Sequence, residues 1–183
     1  MAFSKECSYR CFVALITMGP IWSAFGATNT GRTDDADSTT GLTSRDRYLL
    51  KSSWAGVMKN PTDNGVALLL LMFKKFPETK TVFPFKDIPN EELANNVRFR
   101  AHCNSVVYAI TSMVDAIDDP SLLVGILEKV GRDHKRRSIP QKYFEGLQET
   151  IIELFSTFMK PNEINSWNKA LGVIFKVVAD NVK

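Results

Sequence analysis

The residues of this chain best suited to site chemistry are its two histidines, His102 and His134. Each projects from an apolar series at helical spacing. Phe99, Cys103, Val106, Ile110, Met113 and Ile117 recur at steps of four and three, with His102 on the flank of that face. Leu123, Leu127 and Val130 lead to His134 in the same way. A buried imidazole left without a partner costs about 1–3 kcal/mol. Two answers are open. Each ring can bond a backbone carbonyl, as core histidines usually do. Alternatively, the two can share one partner, such as a planar metal cofactor clamped between their helices.

Other chemistries lack their residues. There is no glycine-rich phosphate loop, no Ser-His-Asp or Cys-His arrangement and no cysteine pair at zinc-binding spacing. Cys7 and Cys11 lie near the start of the chain and Cys103 lies mid-stripe beside His102, so no disulfide framework is written into the domain. A buried, inert thiol is the expectation for Cys103, with redox sensing as its alternative. Lys135-Arg136-Arg137 is the one dense basic run, too short to signal nucleic acid, and reads as a solvated helix end.

The elements that must hold the histidines are helical from Leu42 onward. Thr43-x-x-Asp46 has the form of a capping box ahead of Leu50, Trp54 and Val57. A second helix spans 63–76 with Val66, Leu69, Leu70 and Phe73 inward; Gly65 near its start weakens helix propensity, which a close helix crossing would explain. Asn90 is placed to cap the helix that carries His102, and Asp119-Pro120 starts the one that ends near His134. Tyr143, Leu147, Ile151, Leu154 and Phe158 stripe the next helix, and Ile164, Trp167, Leu171, Ile174 and Val178 the last. About seven unlike helices, mostly broken at prolines, predict an all-α fold packed around something rather than a four-helix bundle.

At 183 residues, 44% hydrophobic and 23% charged with a net charge of +3, the chain fits one globular domain of ordinary composition. Residues 1–26 differ from the rest. Lys5 and Arg10 precede a nearly uncharged run, Cys11 to Ala27, interrupted by Gly19-Pro20 and carrying small residues at Ala24 and Gly26. That layout matches a secretory signal peptide cleaved after Gly26, and the run is too short for a stable membrane span. The rival is a cytoplasmic protein with a hydrophobic, acylated extension, although Ala2 excludes myristoylation. Residues 27–41 are polar and read as a flexible linker to a domain over 42–183.

From Leu42 to Lys183 the chain resembles the globins, and most closely their arthropod and insect members. Trp54, Phe73, Pro77 and Phe83 match the family in order, as do His102 with Val106 four residues on and His134 followed by Ile139-Pro140. The block Phe83-Pro84-Phe85-Lys86-Asp87-Ile88-Pro89, with Glu91-Glu92-Leu93 and Arg98-Phe99-Arg100-Ala101-His102, is similar to the arthropod subset almost letter for letter.

This resemblance implies a three-over-three helical sandwich around haem b. His134 would be the proximal iron ligand, its other N–H held by a carbonyl or side chain. His102 would sit opposite, either donating to bound dioxygen or ligating the iron itself. Phe83 would stack on the haem, Val106 and Leu69 would restrict the distal pocket, and Ile139, Tyr143 and Phe144 would wall the proximal side. Lys135-Arg136-Arg137 would pair the propionates. The implied function is reversible binding of dioxygen and other diatomic gases for transport, storage or facilitated diffusion. A redox or nitric-oxide-scavenging enzyme is the alternative, and would need an external reductase because the chain has no flavin or nicotinamide motif. A gas or redox sensor is another. No exposed pattern in the sequence marks a subunit interface.

Overall fold

Helix boundaries follow the local signals closely. The computed structural model describes residues 34–182, and among them are seven α-helices: α1 Ser44–Val57, α2 Pro61–Lys75, α3 Asn90–Leu93, α4 Val97–Asp115, α5 Pro120–Lys135, α6 Lys142–Ser156 and α7 Pro161–Val182. Two 3-10 turns, Pro77–Val82 and Ala116–Asp118, join α2 to the loop before α3 and α4 to α5. Residues 1–26, expected as a signal peptide or extension, and the first part of the expected linker lie outside the described residues. The end of that linker forms a turn in which Asp37 Oδ1 accepts from the Thr39 and Thr40 N–H groups at 3.0 and 2.7 Å.

The capping box is present as expected: Asp46 N–H donates to Thr43 Oγ1 at 3.0 Å and Thr43 N–H to Asp46 Oδ2 at 3.1 Å. Asp119 caps α5, accepting from Leu122 N–H at 3.0 Å. One cap differs. Asn90 does not cap the helix of His102; it opens the single-turn α3, and Asn96 caps α4 by accepting from Phe99 N–H at 3.0 Å. The one-turn helix ends at Leu93, which is fully buried, so the chain must bend before α4 starts. The second helix begins two residues earlier than expected because Pro61 fits a first helical position.

The helices pack as a three-over-three sandwich. Helices α1, α4 and α5 form one layer and α2, α6 and α7 the other, with α4 crossing α2, α5 crossing α7 and α1 lying on α7. The larger apolar core lies between these layers and includes Trp54, Phe155 and Trp167, whose rings meet at centroid distances of 5.0–6.3 Å. A second cluster holds Leu69, Phe73, Phe85, Phe99 and Cys103, and Val106 and Leu147 touch both.

Two crossings need glycine. A Cβ at Gly65 would lie 2.5 Å from the backbone oxygen of Cys103, and one at Gly131 would lie 2.5 Å from Asn181 Cβ. The first confirms the close crossing expected from Gly65 and brings α2 onto α4 next to His102. A buried ionic clasp joins α1 to α7. Asp46, 5% exposed, accepts from Ser166 Oγ at 2.7 Å and from Lys169 Nζ at 3.0 Å. Burial pushes the carboxyl up, but the bonds from Ser166, the Thr43 N–H, Lys169 and the Thr43 hydroxyl win and hold it at about 2.

Replacing Gly65 by Ala should lower stability by about 1–3 kcal/mol despite better helix propensity, because backbone must shift to admit the methyl. Urea unfolding should show this as a lower midpoint with an unchanged slope. Asp46→Asn should cost about 2 kcal/mol at pH 7. Because the folded pKa lies below the unfolded one, that stability is complete above about pH 4. It should vanish as pH falls through about 2, where wild-type and variant midpoints converge.

Candidate functional site

The two histidines stand on α4 and α5, with Phe83 and Phe85, from the loop after the Pro77–Val82 turn, against the first and α6 against the second. His134 lies in the last turn of α5, where Val130 O is 2.8 Å from its Nδ1. A carbonyl can only accept, so Nδ1 carries the proton and the lone pair of the neutral ring lies on Nε2, turned away from the helix backbone. Phe144, at the start of α6, meets this ring edge-on at 5.0 Å and 75°. Beyond His134 the chain leaves the helix through Ser138, a non-glycine residue at φ 54°, and Ile139 N–H donates back to His134 O at 3.2 Å. Ile139 is half-buried against the main core.

On the other side, His102 is half-buried and has no hydrogen-bond partner among the described residues. Phe83 meets its ring at 5.0 Å and 63°, and Phe85 lies at 6.1 Å. Phe83 is itself held between Phe73 at 5.4 Å and a stacked Phe85 at 5.1 Å. Burial first, then repulsion from Arg137 and from His134 whenever that ring is protonated, push the His102 pKa down, so the ring stays neutral at physiological pH with both an N–H and a lone pair to offer. Leu69 is buried and Val106 half-buried on the same side.

Of the basic run, Arg137 Nη1 donates to Asp133 O at 2.8 Å and Arg136 pairs with Asp133 at 3.3 Å; all three side chains are exposed. Tyr143 is half-buried, and its hydroxyl donates to Glu78 O at 3.2 Å, tying α6 to the 3-10 turn that leads to Phe83. Phe85, 2% exposed, belongs to the aromatic sheath and was not singled out from the sequence as a site residue. Its position two residues beyond Phe83 was the available signal. Cys103 is fully buried and desolvation pushes its thiol up to about 12, so it carries no thiolate at neutral pH.

No group of three or more His, Cys, Asp or Glu side chains placed to hold a metal ion occurs among the described residues. Two imidazoles in an aromatic and aliphatic setting, with cations at its edge, therefore suit a metal that brings its own in-plane ligands. A haem fits that donor set: one imidazole fixed with Nε2 available, a second without a protein partner, and rings for its faces.

The family model described as Globin matches residues 66–178. A cytoglobin-1 of Oryzias latipes is 30% identical over 79% of this chain and 85% of its own length. A globin of Nerita albicilla is 28% identical over 79% of this chain and 95% of its own. Among solved structures, a Drosophila melanogaster hexa-coordinate haemoglobin, studied for cyanide binding and haem-cavity transitions, aligns with a TM-score of 0.71. It is 25% identical, over 75% of this chain and 93% of the other.

The buried thiol yields a direct check. In a Cys7→Ser, Cys11→Ser background, Cys103 should resist maleimide at pH 8 for as long as the domain stays folded. It should react within minutes once denaturant is added. Rapid labelling of the folded protein would show that the thiol is open to solvent.

Proposed function

The chain belongs to the globin family, and on that premise we propose that it binds dioxygen reversibly at a haem b held by His134, with His102 opposite. Globins are mainly gas-binding proteins rather than enzymes, and their fold holds haem. The observation that carries the finer reading is the pairing of two unlike imidazoles. His134 is oriented by Val130 O, while His102 is neutral and has no hydrogen-bond partner among the described residues.

When bound, the haem supplies a ferrous iron at which a diatomic gas binds and leaves. The side chains do the rest. His134 presents Nε2 while its Nδ1–H is bonded, which fixes the ring plane and raises its basicity. Phe144 blocks ring rotation from the side. His102 offers an N–H that can donate to a ligand lodged in the pocket, and its neutrality avoids carrying a charge into an apolar site. Leu69, Val106 and the Phe83 and Phe85 rings exclude water. Arg137, exposed just beyond the end of α5, is the cation that a carboxylate of the cofactor would meet.

A second reading has its own observation. An imidazole with a free lone pair and no hydrogen bond to give up can itself occupy the iron, and the Drosophila relative is described as hexa-coordinate. His102 would then have to yield to an incoming gas, which would favour redox, nitric-oxide-scavenging or sensing roles; sustained turnover would need a separate reductase.

The visible spectrum of the reduced, oxygen-free protein separates the two. A broad single band means that His102 is off the iron and supports dioxygen carriage. Sharp split bands mean that His102 is on it and support the second reading. Absence of haem bands after reconstitution refutes both. His134→Ala should lose haem on desalting. His102→Leu should retain it and release dioxygen about ten- to hundredfold faster, the size of one lost hydrogen bond. Oxidation of the wild-type protein within seconds in air would rule out a carrier.

A further inference from the structure

The outward face of α4 presents a stripe that the haem site does not use. Val97, Ala101, Ser105, Tyr108, Ser112 and Asp115 follow at steps of four and three and are all exposed. Val97 is 79% and Tyr108 51% exposed, both among the large apolar side chains most open to solvent in the described residues. The serines do not make the stripe polar. Ser105 Oγ donates to Ala101 O at 3.0 Å and Ser112 Oγ to Ala109 O at 2.7 Å, so their protons are already used within the helix. Charge is confined to the ends, Arg98 in the first turn and Asp115 in the last. Neither has an ion-pair partner among the described residues, whereas nearby Arg100 reaches Asp63 at 2.9 Å and Asp118 pairs with Arg47 at 3.4 Å.

We propose that this face of α4 binds the same face of a second copy of the chain, with the two helices antiparallel about a two-fold axis that passes between Ser105 and Tyr108. A two-fold interface uses one patch twice, so the patch must complement itself. This one does so in antiparallel register. Tyr108 of each copy falls opposite Ser105 of the other, large against small, and Ala101 opposite Ser112. The Arg98 end of each helix meets the Asp115 end of the other, giving opposite charges at both edges. In parallel register Arg98 would meet Arg98 and Tyr108 would meet Tyr108. The stripe is about 27 Å long by helix rise, and one helix face of that length is at the small end of specific interfaces. The dimer is accordingly weak and concentration-dependent.

Sedimentation of the haem-loaded full chain from about 1 μM to 1 mM at low salt tests this. The expected result is a reversible monomer–dimer equilibrium with a micromolar dissociation constant, weakened more than about tenfold by Tyr108→Glu. Arg98→Glu and Asp115→Arg should each weaken it, and the two together should restore it. Each variant's helical signal and haem spectrum should match the wild type. A monomer throughout, a dimer indifferent to Tyr108→Glu, or a double charge swap as weak as its single swaps would each overturn the proposal.

Discussion

The position of the site depends on the place where α2 and α4 cross with only hydrogen atoms of Gly65 between them. Cys103 O would sit 2.5 Å from any Cβ there, so the two backbones are as close as packing allows. His102 precedes Cys103, and its depth relative to the aromatic cluster is set by that contact. The same closeness seals Cys103 completely and buries Phe99 beside Phe73 and Phe85. A fixed crossing thereby becomes a fixed imidazole.

The site then has a polarity problem to solve in apolar surroundings. Both histidines lie against aromatic rings, and the proposed function asks each to keep one nitrogen available. On α5 the helix itself solves it: Val130 O, one turn back, takes one ring nitrogen and leaves the other outward. On α4 no carbonyl or side chain among the described residues does the same for His102, and the ring lies edge-on to Phe83. One imidazole is anchored and the other is adaptable, the asymmetry that the proposed pairing of a fixed iron ligand with a gas-binding pocket calls for.

Stability comes from elsewhere in the molecule. The Asp46 clasp with Ser166 and Lys169 and the Trp54–Trp167–Phe155 cluster bind α1 to the opposite layer. Trp54 Nε1 donates to Thr111 at 3.1 Å and Trp167 Nε1 to Ser53 at 2.9 Å, so both indoles are buried with their N–H groups satisfied. Lys75, bonded to Glu149 and Glu153, ties α2 to α6 at the surface. These contacts leave the histidines free of structural duty.

Local order was written plainly in the chain. Helical periodicity, the Thr43–Asp46 box, the Asp119 cap and the proline breaks all act within a few residues, so spacing alone was enough to place them. The two histidines and Phe83 stood out because their types and order are unusual together, and Gly65 announced a crossing because nothing local explained it. Misreadings occurred where two local solutions were equally good. Asn90 and Asn96 are both competent caps, and the buried Leu93 decides between them by forcing a bend. Facts relating residues far apart in sequence depend on the packed fold. The bond from Tyr143 to Glu78, the exposure of Val97 and Tyr108 on the outer side of α4, and the lack of a partner for His102 are of this kind. Periodicity tells which residues share a helix face; only packing tells which neighbour, if any, covers it.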